Sequence, residues 1–78
     1  MGWRAHCTVT ASYDARYGDY DIKVQSNQPN RTVTARASSG ASHRYKTDSG
    51  GYALVYLKAK SGDTVHVTVG AASCSTRA

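Results

Sequence analysis

Tyr45-Lys46-Thr47-Asp48-Ser49-Gly50-Gly51-Tyr52-Ala53-Leu54-Val55-Tyr56-Leu57, resumed at Ser61-Gly62-Asp63-Thr64-Val65-His66-Val67-Thr68-Val69-Gly70, holds two strand patterns, each entered through turn residues. In Asp48-Ser49-Gly50-Gly51, glycine supplies positive φ and the aspartate side chain can bond its own backbone two residues on. Tyr52 to Ala59 is apolar at nearly every position, which reads as a central strand or one covered on both faces. After Ser61-Gly62-Asp63, the alternation of Val65, Val67 and Val69 gives a strand with one buried face, and Gly70 ends it.

The rest of the chain supplies partners for these two strands. Ala5, Cys7, Val9 and Ala11 alternate with polar residues up to Ser12, a first strand with the cysteine on its inner face. Tyr13 to Asp19 reads as a loop, and Tyr20, Ile22 and Val24 mark a second strand. Ser26 to Asn30 is a turn cluster containing the single proline, after which Val33, Ala35 and Ala37 face inward from a third strand. Such small alanines suggest large residues, Tyr or Leu, packed over them from an opposing sheet. Ser42 to Lys46 is a short fourth segment, and about Ala71 to Thr76 forms the last strand. No stretch has a helical period. Turns roughly every 8–12 residues predict an all-β antiparallel sandwich of about seven short strands. Residues 1–4 are expected as a flexible N-terminus and residues 5–76 as one domain.

With 78 residues, the chain is short enough that its core needs a staple. Cys7 and Cys74 lie near opposite ends. Joined, they close nearly the whole chain into a loop worth roughly 4 kcal/mol by loop entropy, and they require the first and last strands to be close. Neither cysteine has a second ligand at zinc spacing. A disulfide points to an oxidising compartment. Met1-Gly2 reads as a start left after removal of a secretion signal, with no apolar run long enough for a transmembrane segment. A secreted, extracellular monomer is expected.

Ten Lys and Arg stand against five acids, all Asp, for a net charge of +5. Such a balance fits an anionic partner, whether nucleic acid, teichoic acid, acidic glycan or acidic protein, and it also serves solubility. The basic residues are spread singly, without a run. Together with export, that weighs against nucleic acid.

The run Thr47-Asp48-Ser49-Gly50-Gly51-Tyr52-Ala53-Leu54-Val55-Tyr56-Leu57 and the later Gly62-Asp63-Thr64-Val65-His66-Val67 resemble the C-terminal half of bacterial immunoglobulin-like and prealbumin-like domains. The whole chain looks like a small secreted actinobacterial-type β-domain with one terminal disulfide. The resemblance implies a sandwich fold and no function. It departs from antibody-type domains, because Trp3 precedes the first cysteine instead of lying between the two.

Catalysis is not expected: no nucleophile motif surrounds any serine, and the histidines His6 and His66 fall on polar strand positions. Asp14, Asp19 and Asp21 offer oxygens for Ca²⁺, yet their spacing is not that of an EF-hand and turn chemistry accounts for them. No metal or cofactor is assigned. The aromatic set is more informative. Tyr13, Tyr17 and Tyr20 are interleaved with Asp14, Arg16, Gly18, Asp19 and Asp21, and tyrosine pairs a flat apolar face with a hydroxyl. Tyr20 fits a core position, while Tyr13 or Tyr17 either packs over the sheet end or meets a ligand. The expected contact is therefore Tyr13 and Tyr17 with Trp3, flanked by Arg4 and Arg16, and the partner an extracellular polysaccharide or protein. The alternative is a small basic enzyme inhibitor or antimicrobial protein.

Overall fold

Glycine and aspartate set the corners of the molecule. In the computed structural model, which describes residues 4–78, Gly51 adopts φ 85° and a Cβ there would lie 1.9 Å from the Ser26 carbonyl oxygen. Only glycine lets the two backbones approach that closely. Asp48 Oδ1 accepts the Gly50 and Tyr52 amides at 2.9 and 3.0 Å, the side-chain-to-backbone turn its sequence predicts.

Seven strands result among the described residues: β1 (Cys7–Asp14), β2 (Asp19–Ser26), β3 (Thr32–Ala37), β4 (Ser42–Lys46), β5 (Tyr52–Leu57), β6 (Thr64–Val69) and β7 (Ala72–Arg77). They form a three-stranded sheet in the order β1-β2-β5 and a four-stranded sheet in the order β4-β3-β6-β7, with every pair antiparallel. The chain pairs β1 with β2, crosses to pair β3 with β4, returns for β5, then crosses again for β6 and β7. This is the all-β, two-sheet arrangement the turn spacing predicts.

Alternate residues of both sheets meet in one core. Ile22, Val33, Ala35, Val65, Val67 and Val69 are fully buried, with Val55 and Leu57 beside them. No phenylalanine is present, so β-branched side chains and Leu57 fill the space over Ala35 and Ala37.

Two expectations change. β5 is an edge strand of the smaller sheet, not a central one: Ala53, Val55 and Leu57 point inward, while Tyr52, Leu54 and Tyr56 face outward. Its apolar residues are continuous because the exposed face also carries large side chains, not because both faces are covered. The stretch read as a loop from Tyr13 is shorter, since Tyr13 pairs with Tyr20 and Asp14 with Asp19 before the chain turns.

The disulfide joins Cys7 on β1 to Cys74 on β7, with Cα atoms 5.7 Å apart. These are edge strands of different sheets, so the bridge clasps one side of the sandwich. At the Ser26 end, buried Thr47 ties two loops together: its hydroxyl donates to the Gln28 carbonyl at 2.6 Å and accepts the Arg31 amide at 2.9 Å. Ser26 plays the same part toward the N-terminal segment, donating its hydroxyl to the His6 carbonyl and accepting the Gln28 amide.

Candidate functional site

The β1–β2 hairpin is shaped by its own aspartate. Asp14 Oδ1 accepts the Arg16 amide at 3.0 Å, the Asp14 carbonyl accepts the Gly18 amide at 2.8 Å, and Gly18 takes φ 68°. The closed turn holds Arg16 and Tyr17 at its tip, with the guanidinium 5.8 Å from the tyrosine ring centroid, within cation–π range. Tyr13 has a different task. Its ring meets Tyr20 edge-on at a centroid distance of 5.3 Å, covering the end of the core where Tyr20 is buried.

Tyr17 does not stand alone. The Lys58 ammonium donates to the Tyr17 carbonyl at 3.3 Å, and Tyr17, Asp19, Tyr56 and Lys58 line a shallow depression where the hairpin tip meets the end of β5. From there the outward residues of β5 run away in a line: Tyr56 beside Asp21, Leu54 beside Lys23, Tyr52 beside Gln25. Tyr17, Tyr56, Leu54 and Tyr52 are 62%, 52%, 38% and 53% exposed, so this side of the sheet and its hairpin tip present four large apolar bodies to solvent. β1 continues that surface with Thr8, Thr10 and Ser12.

Of the residues expected at a contact, the structure brings Tyr17 and Arg16 together and sets Tyr13, 61% exposed, at the hairpin base with its ring against Tyr20. Arg4 lies at the other end of β1, where its carbonyl accepts from the Asn27 amide group. Trp3 lies outside the described residues. Tyr52, Leu54 and Tyr56 were missed, because an unbroken apolar strand hides which of its faces is exposed. Their shared parity, two tyrosines four residues apart with leucine between, is the signal that could have found them.

Three carboxylates gather beside this surface. Ligand atoms of Asp14, Asp19 and Asp21 lie within 4.8 Å of one another, and Asp19 Oδ1 and Asp21 Oδ1 are buried without a hydrogen-bond partner. The two remaining acids serve turns: Asp48 as above, and Asp63, whose carboxylate accepts the Lys60 amide and the hydroxyls of Ser38 and Ser39. The Ser39 hydroxyl and then the Lys60 amide hold the Asp63 carboxyl below its ordinary value. The histidines sit apart on separate elements, His6 before β1, His43 on β4 and His66 on β6.

Comparison of the chain with protein-family models, with curated proteins and with solved structures finds no match in any of the three.

Proposed function

We propose that this chain is a non-catalytic binding module whose contact surface is the exposed face of the β1–β2–β5 sheet, and that its partner is a polysaccharide. The observation that carries the reading is the solvent-facing row of Tyr56, Leu54 and Tyr52 on β5, continued at the hairpin tip by Tyr17. Burying a tyrosine or leucine is worth about 1.5–3 kcal/mol, so leaving four apolar bodies in water forgoes a stabilisation that a partner recovers. Tyrosine rings lie flat against the apolar face of a sugar, and their hydroxyls reach its oxygens. The Thr and Ser row of β1 adds donors and acceptors on the same plane.

Two further readings belong with this one. The pairing of β1-β2-β5 against β4-β3-β6-β7, with three crossings between sheets, supports an immunoglobulin-like sandwich. The single disulfide supports a secreted protein acting outside the cell.

The test is co-sedimentation of the oxidised protein with insoluble cellulose, chitin and purified cell walls at low and high salt. Retention on at least one glycan should persist at high salt, because stacking is not screened. Tyr56→Ala and Tyr17→Ala should each weaken it about tenfold, near 1.4 kcal/mol. Retention lost at high salt would reduce the effect to bulk charge. No retention on any glycan would sink the polysaccharide reading and leave a protein as the partner for the same surface.

A further inference from the structure

The outer face of the other sheet has the opposite chemistry. Register places Lys46 beside Thr32, Arg44 beside Thr34, Arg36 beside His66, and Arg77 beside Thr64, all with side chains on the solvent side. Each cross-strand row of this face therefore carries one Lys or Arg. None carries an acid, for Asp14, Asp19 and Asp21 stand on the other sheet, while Asp48 and Asp63 sit in turns. Apart from His66, the remaining strand positions on this face are serine and threonine.

The four cations are ordered as well as segregated. At about 3.4 Å per residue along a strand and about 4.8 Å between strands, they trace a diagonal of about 25 Å from Lys46 on β4 to Arg77 on β7. A shallow depression formed by Thr34, Arg36, His66 and Thr68 lies along that line. Like charges on neighbouring sheet positions repel, so solubility alone is better served by mixing Asp among them.

We infer that this face binds a linear polyanion, namely a carboxylated polysaccharide. An extended chain laid along the diagonal meets a cation in every row. The arginine guanidinium takes a carboxylate through two parallel hydrogen bonds, which a point charge cannot do. The serine and threonine hydroxyls between the cations donate to and accept from sugar hydroxyls. Single-stranded nucleic acid fits less well, because among the described residues the imidazole of His66 is the one ring on this face for bases to stack on: Tyr45 pairs with inward-facing Val33 and so points to the other side of β4. The site is separate from the tyrosine surface and does not depend on it.

Fluorescence anisotropy with labelled oligogalacturonate tests the assignment, with a neutral oligoglucan and an oligothymidylate of equal charge as comparison probes. Arg36→Ala and Arg44→Ala should each weaken oligogalacturonate binding about tenfold, whereas Lys23→Ala, which removes the same charge from the other sheet, should change it less than about twofold. Arg36→Lys should recover only part of the loss, since the charge returns without the fork. Tyr56→Ala should leave this binding unchanged, so failure here and failure of the tyrosine surface are told apart. Equal losses from Arg36→Ala and Lys23→Ala would overturn the site in favour of net charge. Tighter binding of oligothymidylate with the same arginine dependence would overturn the glycan in favour of nucleic acid.

Discussion

Asp63 shows how much one side chain organises here. Its carboxylate gathers the Lys60 amide at 2.8 Å and the hydroxyls of Ser38 and Ser39, and the Ser38 hydroxyl in turn accepts the Thr64 amide at 3.1 Å. The β3–β4 and β5–β6 turns are thus tied through one charged group. Every one of these bonds to the carboxylate favours its ionised form, so its pKa lies below the ordinary 3.8. A carboxyl with a depressed folded-state pKa contributes stability that is present above the unfolded value and is lost as pH falls through the folded one. Asp63→Asn should therefore lower the Tm at neutral pH, and the gap to wild type should close as pH falls below 3.8. Thermal melts across that range check it; a gap that stays constant to about pH 2 would assign the effect to amide geometry and not to charge. The turn roles of Asp48 and Gly51 were legible in the sequence because they are local, an aspartate two residues before a glycine. The burial of Thr47 was not, since its partners Gln28 and Arg31 come from a loop that only the folded chain brings near.

At the scale of elements, β1 depends most on its clasp. The residues it turns inward, Cys7, Val9 and Ala11, are only partly buried, whereas β2, β3 and β6 supply fully buried side chains. Cys7 and Cys74 are 67 residues apart, and removing a bridge of that span costs about 4 kcal/mol on the loop-entropy model. Cys7→Ala/Cys74→Ala should lose about that much, and hydrogen exchange should show β1 and β7 opening before β3 and β6. Uniform loss of protection across all seven strands would mean that the bridge acts only on the unfolded chain. That the two strands meet was legible from cysteine positions alone, because a small core demands a staple and a staple demands proximity. The place of β5 was not. A tyrosine presented to a ligand and a tyrosine packed in a core look alike in a pattern of apolar letters, and only Ala53, Val55 and Leu57 turning inward separates them. The candidate surface was therefore half legible: Tyr17 and Arg16 from their turn, Tyr52, Leu54 and Tyr56 only from the sheet.

The whole molecule measures 41 × 20 × 16 Å, and its two broad faces are chemically unlike. One carries Tyr17, Tyr56, Leu54 and Tyr52 beside Asp14, Asp19 and Asp21; the other carries Arg36, Arg44, Lys46 and Arg77 with no aspartate on its strands. Two packed sheets stand about 10 Å apart, so ligands on the two outer faces have the full sandwich between them and do not touch. Groups at such separation with no shared partner act additively, and occupying one face leaves the affinity of the other unchanged. A single copy with both faces active is then a bridge between two polymers. Soluble labelled oligogalacturonate, which does not sediment with an insoluble neutral glycan by itself, should sediment when the protein is added. Tyr56→Ala should abolish this by releasing the protein from the solid, and Arg36→Ala by releasing the oligomer from the protein. Adding salt should separate the two: the protein stays on the solid while the oligomer returns to solution, because only the charged face is screened. If oligogalacturonate instead displaces the protein from the glycan, the two ligands compete for one surface, and the division of labour between the sheets is wrong.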